Sequence, residues 1–227
     1  MQDTRKAPAT TEDAKPWASL SWPNRITLFR LLLIAPFIVL ILNQREWGDS
    51  ARYGALAVFV IMAVSDFLDG MLARRLNRKT RFGAILDPLA DKALIISAVV
   101  LLSLPDSAVP AAPISNWIVV VIVGKDLWVI VGFIVIYLVT DRFRIHPTRA
   151  GKAATLGQLI MVLSVLIAPE LNRIVGGLGS MLARLLGWLV TVVSVLAAVS
   201  YTRLGLSFVA EEQKPLESPP NKEPREA

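Results

Sequence analysis

The chain has 227 residues, 54% of them hydrophobic, with no cysteine and a single histidine, and its mean hydropathy is +0.56. Those counts exclude disulfides, cysteine-ligated zinc and thiol catalysis, and one imidazole, His146, cannot furnish a histidine-rich metal site. The formal net charge of +6 is read as basic loops facing anionic lipid, with no nucleic acid as partner.

Residues 1–15 are polar and mixed in charge, the composition of a disordered tail. Residues 17–25, WASLSWPNR, mix tryptophan with polar groups, as a short interfacial helix does. Apolar stretches follow at about 26–42, 53–73, 86–104, 116–140, 153–168 and 178–204. Their lengths approach the roughly 20 residues that a helix needs to cross a hydrocarbon core. The predicted fold is therefore all-α: an integral membrane bundle of six transmembrane helices behind a short N-terminal interfacial helix. One membrane domain is expected over 16–205. The segment 206–227, charged and proline-rich, reads as a disordered tail.

Six crossings divide the connecting segments into two sets. Lys and Arg crowd the N-terminus, the links around 74–81 and 142–152, and the tail, whereas the other set carries only Arg45, Arg52 and Arg173. The positive-inside rule puts both termini in the cytoplasm, as in a cell (inner) membrane. It also puts the cytoplasmic ends of the second and third stretches side by side with the most unusual part of the chain.

That part is Ser65 to Lys92, which holds Asp66, Asp69, Asp87 and Asp91. A carboxylate near a bilayer centre costs about 2.5–3.5 kcal/mol, so such a group needs a compensating ligand. Asp66 and Asp69 are three apart, Asp87 and Asp91 four apart, and either spacing puts a pair on one helix face. The short link makes the two helices antiparallel neighbours, so all four carboxylates can meet. An oxygen-only set without His or Cys suits Mg²⁺ or Mn²⁺, and four carboxylates can hold two such divalent cations. Gly70, Ala73 and Gly83 leave gaps through which a phosphorylated ligand can approach the backbone, and Arg74 can grip a diphosphate. The plainer alternative is a pair of solvated helix ends. An ion or proton transporter is another, but it would string acids along a path, and here all except Asp126 share one depth.

The stretch DFLDGMLARRLNRKTRFGAILDPLAD resembles the signature of the CDP-alcohol phosphatidyltransferases at Asp66, Asp69, Gly70, Ala73, Arg74, Gly83, Asp87 and Asp91. The resemblance covers about residues 22–205. It implies transfer of a phosphatidyl group from CDP-diacylglycerol to an acceptor alcohol, with release of CMP. It also implies that Asp66, Asp69 and Asp87 ligate two divalent ions, that Asp91 lies near the second ion and acts as general base, and that Gly70, Ala73, Arg74 and Gly83 shape the CDP pocket. Members are commonly homodimers.

PNRITLFRLLLIAPF, with Asn24, Thr27 and Arg30, looks like the start of the first span in the phosphatidylglycerophosphate and cardiolipin synthase branch. Asn24 and Thr27 could line the CDP site, or Asn24 could be a helix N-cap. RAGKAATLGQ resembles the start of the fifth span in that branch, and Arg149 and Lys152 could grip an acceptor phosphate or serve only as a basic link. Glycerol-3-phosphate enzymes usually carry Arg-Glu in the fourth span, where this chain has Lys125 and Asp126. These two are about 100° apart on a helix, so each is expected to face a partner on another helix. Glycerol 3-phosphate is placed first as acceptor, with phosphatidylglycerol, the cardiolipin synthase acceptor, as the alternative.

Overall fold

The computed structural model describes residues 22–76, 81–140 and 148–212, with side chains described at all of these except 22–27, 67, 69–76, 81–91, 133–140 and 208–212. The expected tails at 1–15 and beyond residue 212, and the interfacial segment before Trp22, lie outside the described residues. Every regular element among those described is an α-helix: α1 (Trp22–Leu42), α2 (Gln44–Trp47), α3 (Asp49–Leu76), α4 (Arg81–Ser103), α5 (Asn116–Thr140), α6 (Arg149–Ile174) and α7 (Leu178–Glu212).

Helical periodicity builds the core. Ile34, Phe37 and Ile41 repeat at three and four residues along α1, and Ala55, Phe59 and Met62 do so along α3; all are buried. The Phe37 and Phe59 rings meet at 5.9 Å between centroids and tie the two helices together. Ile95, Ala98 and Leu102 of α4 and Ile118 and Ile122 of α5 continue the same cluster. Helix α1 packs against both α3 and α4, the two helices that carry the aspartates, and α5 packs against α7.

The most extensive packing joins α6 and α7, and two glycines permit it. A Cβ on Gly179 would collide with the backbone of Ala168, and one on Gly151 would collide with the ring of Tyr201. The two helices thus approach closely at both ends.

Boundaries differ from the sequence expectation where polar residues keep helical geometry. Helix α6 passes through Pro169, placed in a link by composition, and ends at Ile174. Proline lacks the N–H that would serve the carbonyl one turn back. Arg52 donates to the neighbouring carbonyl of Leu166 at 2.8 Å, so this weak point is braced from α3. Helix α7 runs on to Glu212, past the expected domain edge at 205, and no proline occurs before Pro215. The short α2 has no counterpart in the expectation; Gly48, at φ 64°, turns the chain from it into α3.

Among the described residues, two helical segments, Arg149–Ile174 and Leu178–Ser207, are long and apolar enough to cross a membrane. The outer surface is apolar well beyond them. Leu32, Val120, Trp128, Leu156, Met181 and Leu206 are each more than half exposed. A surface of that kind is matched by hydrocarbon and not by water.

Candidate active site

Asp66 is the one signature aspartate whose side chain is described. It sits on α3, and Arg30 Nη1 of α1 lies 2.8 Å from its Oδ1. The two ends of this pair have opposite surroundings: the Arg30 side chain is 2% exposed and that of Asp66 is 42% exposed. The guanidinium reaches the carboxylate from inside the bundle, and the carboxylate side chain keeps part of its surface open.

The other signature residues are placed by backbone alone. Asp69, Gly70, Ala73 and Arg74 follow Asp66 on α3, and Gly83, Asp87 and Asp91 lie along α4. Their side chains lie outside the described ones, and register along each helix places Asp66 with Asp69 on α3 and Asp87 with Asp91 on α4, without joining the two pairs. Asn24 and Thr27 are both inside α1, which begins at Trp22. Asn24 is therefore not the N-cap of that helix, because the helical backbone already precedes it. The side chains of Asn24 and Thr27 are likewise outside those described.

A second charged group lies one residue beyond Asp91. Lys92 Nζ of α4 is 2.5 Å from Asp126 Oδ1 of α5, and Lys125 Nζ is 2.7 Å from the same oxygen. Asp126 is fully buried and Lys125 nearly so. The second carboxylate oxygen, Asp126 Oδ2, is buried with no hydrogen-bond partner among the described residues. Asp126 thus meets a partner on another helix, as its position implied. Lys125 does not: its flexible stem folds back on its own neighbour. Among the described residues, two lysines thus share one carboxylate oxygen.

Lys125 also borders a groove of about 520 Å³ between α5 and α7, with Val120, Val195 and Val199 among its apolar walls and Arg203 beside Lys125 as a second cation. Arg149 and Lys152 occupy the first turn of α6 and are exposed. That turn is capped by Thr148, whose hydroxyl accepts from Gly151 N at 3.0 Å. Neither cation forms an ion pair among the described residues.

Sequence reasoning did not assign a role to Arg30 or Lys92. Arg30 had a detectable signal, a lone cation within the apolar run ITLFRLLLIAPF; an ionisable group inside such a run needs a partner. Lys92 had a weaker one, a cation directly after Asp91 where the apolar stretch is already under way.

A family model described as CDP-alcohol phosphatidyltransferase matches residues 20–209. The chain is 34% identical over 154 residues to the Bacillus subtilis protein named CDP-diacylglycerol--glycerol-3-phosphate 3-phosphatidyltransferase, covering 64% of this chain and 76% of that one. It is 44% identical over 81 residues to the protein of the same name from Escherichia coli strain K12, covering 36% of this chain and 43% of that one.

Proposed function

The chain belongs to the CDP-alcohol phosphatidyltransferase family, and we propose that it transfers the phosphatidyl group of CDP-diacylglycerol to glycerol 3-phosphate, forming phosphatidylglycerophosphate and CMP. The observation that carries this reading is the similarity to the Bacillus subtilis glycerol-3-phosphate enzyme, which extends over 76% of that protein. The two lysines that meet Asp126, Lys92 and Lys125, support it, because a lysine donates readily to a phosphate oxygen.

In this reading the acceptor hydroxyl attacks the phosphorus next to the diacylglycerol. The bond to the bridging oxygen of the diphosphate breaks, CMP leaves, and Asp91 takes the hydroxyl proton. Asp66, Asp69, Asp87 and Asp91 would hold two divalent cations, Mg²⁺ or Mn²⁺. The set is oxygen-only, and the Asp66 side chain keeps part of its surface open, so these residues fit hard cations. When bound, the cations neutralise the diphosphate and the departing CMP. Gly70, Ala73, Arg74 and Gly83, with Asn24 and Thr27 on α1, would line the CDP pocket. Lys125, Arg149 and Lys152 would steer the acceptor.

The site faces the cytoplasm if all six long helices cross the bilayer with both termini inside, an arrangement favoured by the distribution of Lys and Arg. One observation favours phosphatidylglycerol as a second acceptor: the apolar groove beside Lys125 could take an acyl chain.

The test supplies the purified full chain, with Mg²⁺ and CDP-diacylglycerol, with glycerol 3-phosphate or phosphatidylglycerol in turn, and identifies the lipid product by mass. Phosphatidylglycerophosphate is expected. Cardiolipin alone would overturn the acceptor, and no CMP release with either would overturn the reaction.

A further inference from the structure

Arg30 stands behind the first aspartate of the signature and has no part in the chemistry described so far. It is 1% exposed, yet its guanidinium ends 2.8 Å from a carboxylate that keeps an open face. The helix that carries it packs on both aspartate-bearing helices. A guanidinium is planar and rigid, and it is always charged, so it fixes the direction of the carboxylate that it meets. Without such a partner the carboxylate is free to take up other rotamers.

From this geometry we infer that Arg30 is a positioning residue: it holds the Asp66 carboxylate in one orientation and presents its open face to a divalent cation. The inference rests on the reading of Asp66 as a cation ligand. It has a consequence that simple charge counting reverses. Removing a cation from beside a metal site should strengthen metal binding by electrostatics alone. If Arg30 orients Asp66, its removal weakens binding instead, because the carboxylate is no longer held in place.

The probe is Mn²⁺ itself, followed by electron paramagnetic resonance of the free ion with the full chain in detergent and no substrate present. Arg30→Gln should raise the Mn²⁺ concentration for half-saturation on the order of tenfold, the scale of one charge-assisted hydrogen bond. Arg30→Lys, which restores the charge without the planar fork, should recover part of that shift. The Mg²⁺ concentration for half-maximal CMP release should move by the same factor, while the rate at saturating Mg²⁺ changes less. Arg30→Lys provides the test alone if Arg30→Gln fails to fold. Unchanged or tighter Mn²⁺ binding in the variant that folds would overturn the inference. Asp66→Ala separates the two levels: if it binds Mn²⁺ as the unaltered chain does, the reading of Asp66 as a ligand is what fails.

Discussion

Arg52 and Glu170 are joined by two hydrogen bonds, each 2.6 Å, that clasp the start of α3 to the last turns of α6. Arg52 is buried and also donates to Asp49 and to the Leu166 carbonyl, each at 2.8 Å, while Tyr53 donates to Glu170 at 2.7 Å. This network lies several turns before Asp66 on α3, so it serves the bundle and not the chemistry. Arg52→Ala should lower stability by about 1.5–3 kcal/mol, the scale of hydrogen bonds to charged groups whose partners stay partly open to solvent. Thermal unfolding in detergent measures it. CMP release well below the transition should stay close to that of the unaltered chain.

Asp49, ahead of the apolar stretch that begins near residue 53, gives this network a pH dependence. Hydrogen bonds from Arg52 first, and from Arg173 next, hold its carboxyl below the ordinary value of 3.8. A carboxyl depressed in the folded state contributes stability above its unfolded pKa and loses it as pH falls through the folded value. The unfolding temperature of the unaltered chain should therefore exceed that of Asp49→Asn from neutral pH down to about 3.8, and the two curves should converge in stronger acid. Parallel curves throughout would show that Asp49 adds nothing through its charge.

The helices were legible because apolar runs and polar links alternate along the chain, and α5 has the bounds that composition assigned to it. Pairings between helices were not legible in the same way. Periodicity tells which face of α1 carries Arg30 but not that α1 packs on α3 and α4. Lys125 shows a second limit: angular position on a helix is a poor guide to the reach of a flexible lysine, which here bends back to Asp126. The aspartate signature was readable for a different reason, since its spacing is itself the arrangement on the helix.

The shared carboxylate of Asp126 separates stability from acceptor recognition. Asp126→Asn removes the counter-charge of the buried Lys125 and of the half-buried Lys92 and should cost about 3–5 kcal/mol in unfolding. Lys92→Met leaves Lys125 paired with Asp126, so the fold should hold to within about 1 kcal/mol. If Lys92 helps to hold an acceptor phosphate, the same change should raise KM for glycerol 3-phosphate about tenfold with a smaller effect on kcat. Steady-state kinetics at saturating CDP-diacylglycerol distinguish the two.

Gly179 tests the α6–α7 contact. A methyl group there meets the Ala168 backbone, which cannot swing aside as a side chain could. Gly179→Ala should therefore destabilise by about 1–3 kcal/mol, as overpacking does. Gly151→Ala meets only the Tyr201 side chain, which can rotate, and should cost less. Equal unfolding temperatures for the two variants would mean that the helices can shift apart at Gly179.

The four aspartates divide into groups that variants can tell apart. Asp66→Ala, Asp69→Ala and Asp87→Ala each remove a cation ligand in the proposed site, and each should abolish CMP release while the protein still inserts. Asp91→Asn keeps an oxygen at the same place but removes the base. It should lose turnover by roughly 100-fold or more, the scale of general-base catalysis, while CDP-diacylglycerol binding is retained. Loss of that binding would make Asp91 chiefly a ligand. Removing divalent cations with a chelator should stop the reaction, and adding Mg²⁺ back should restore it. Arg30 sharpens the expectation for Asp66: an alanine there takes one partner from a buried guanidinium, so Asp66→Ala should also lower the unfolding temperature.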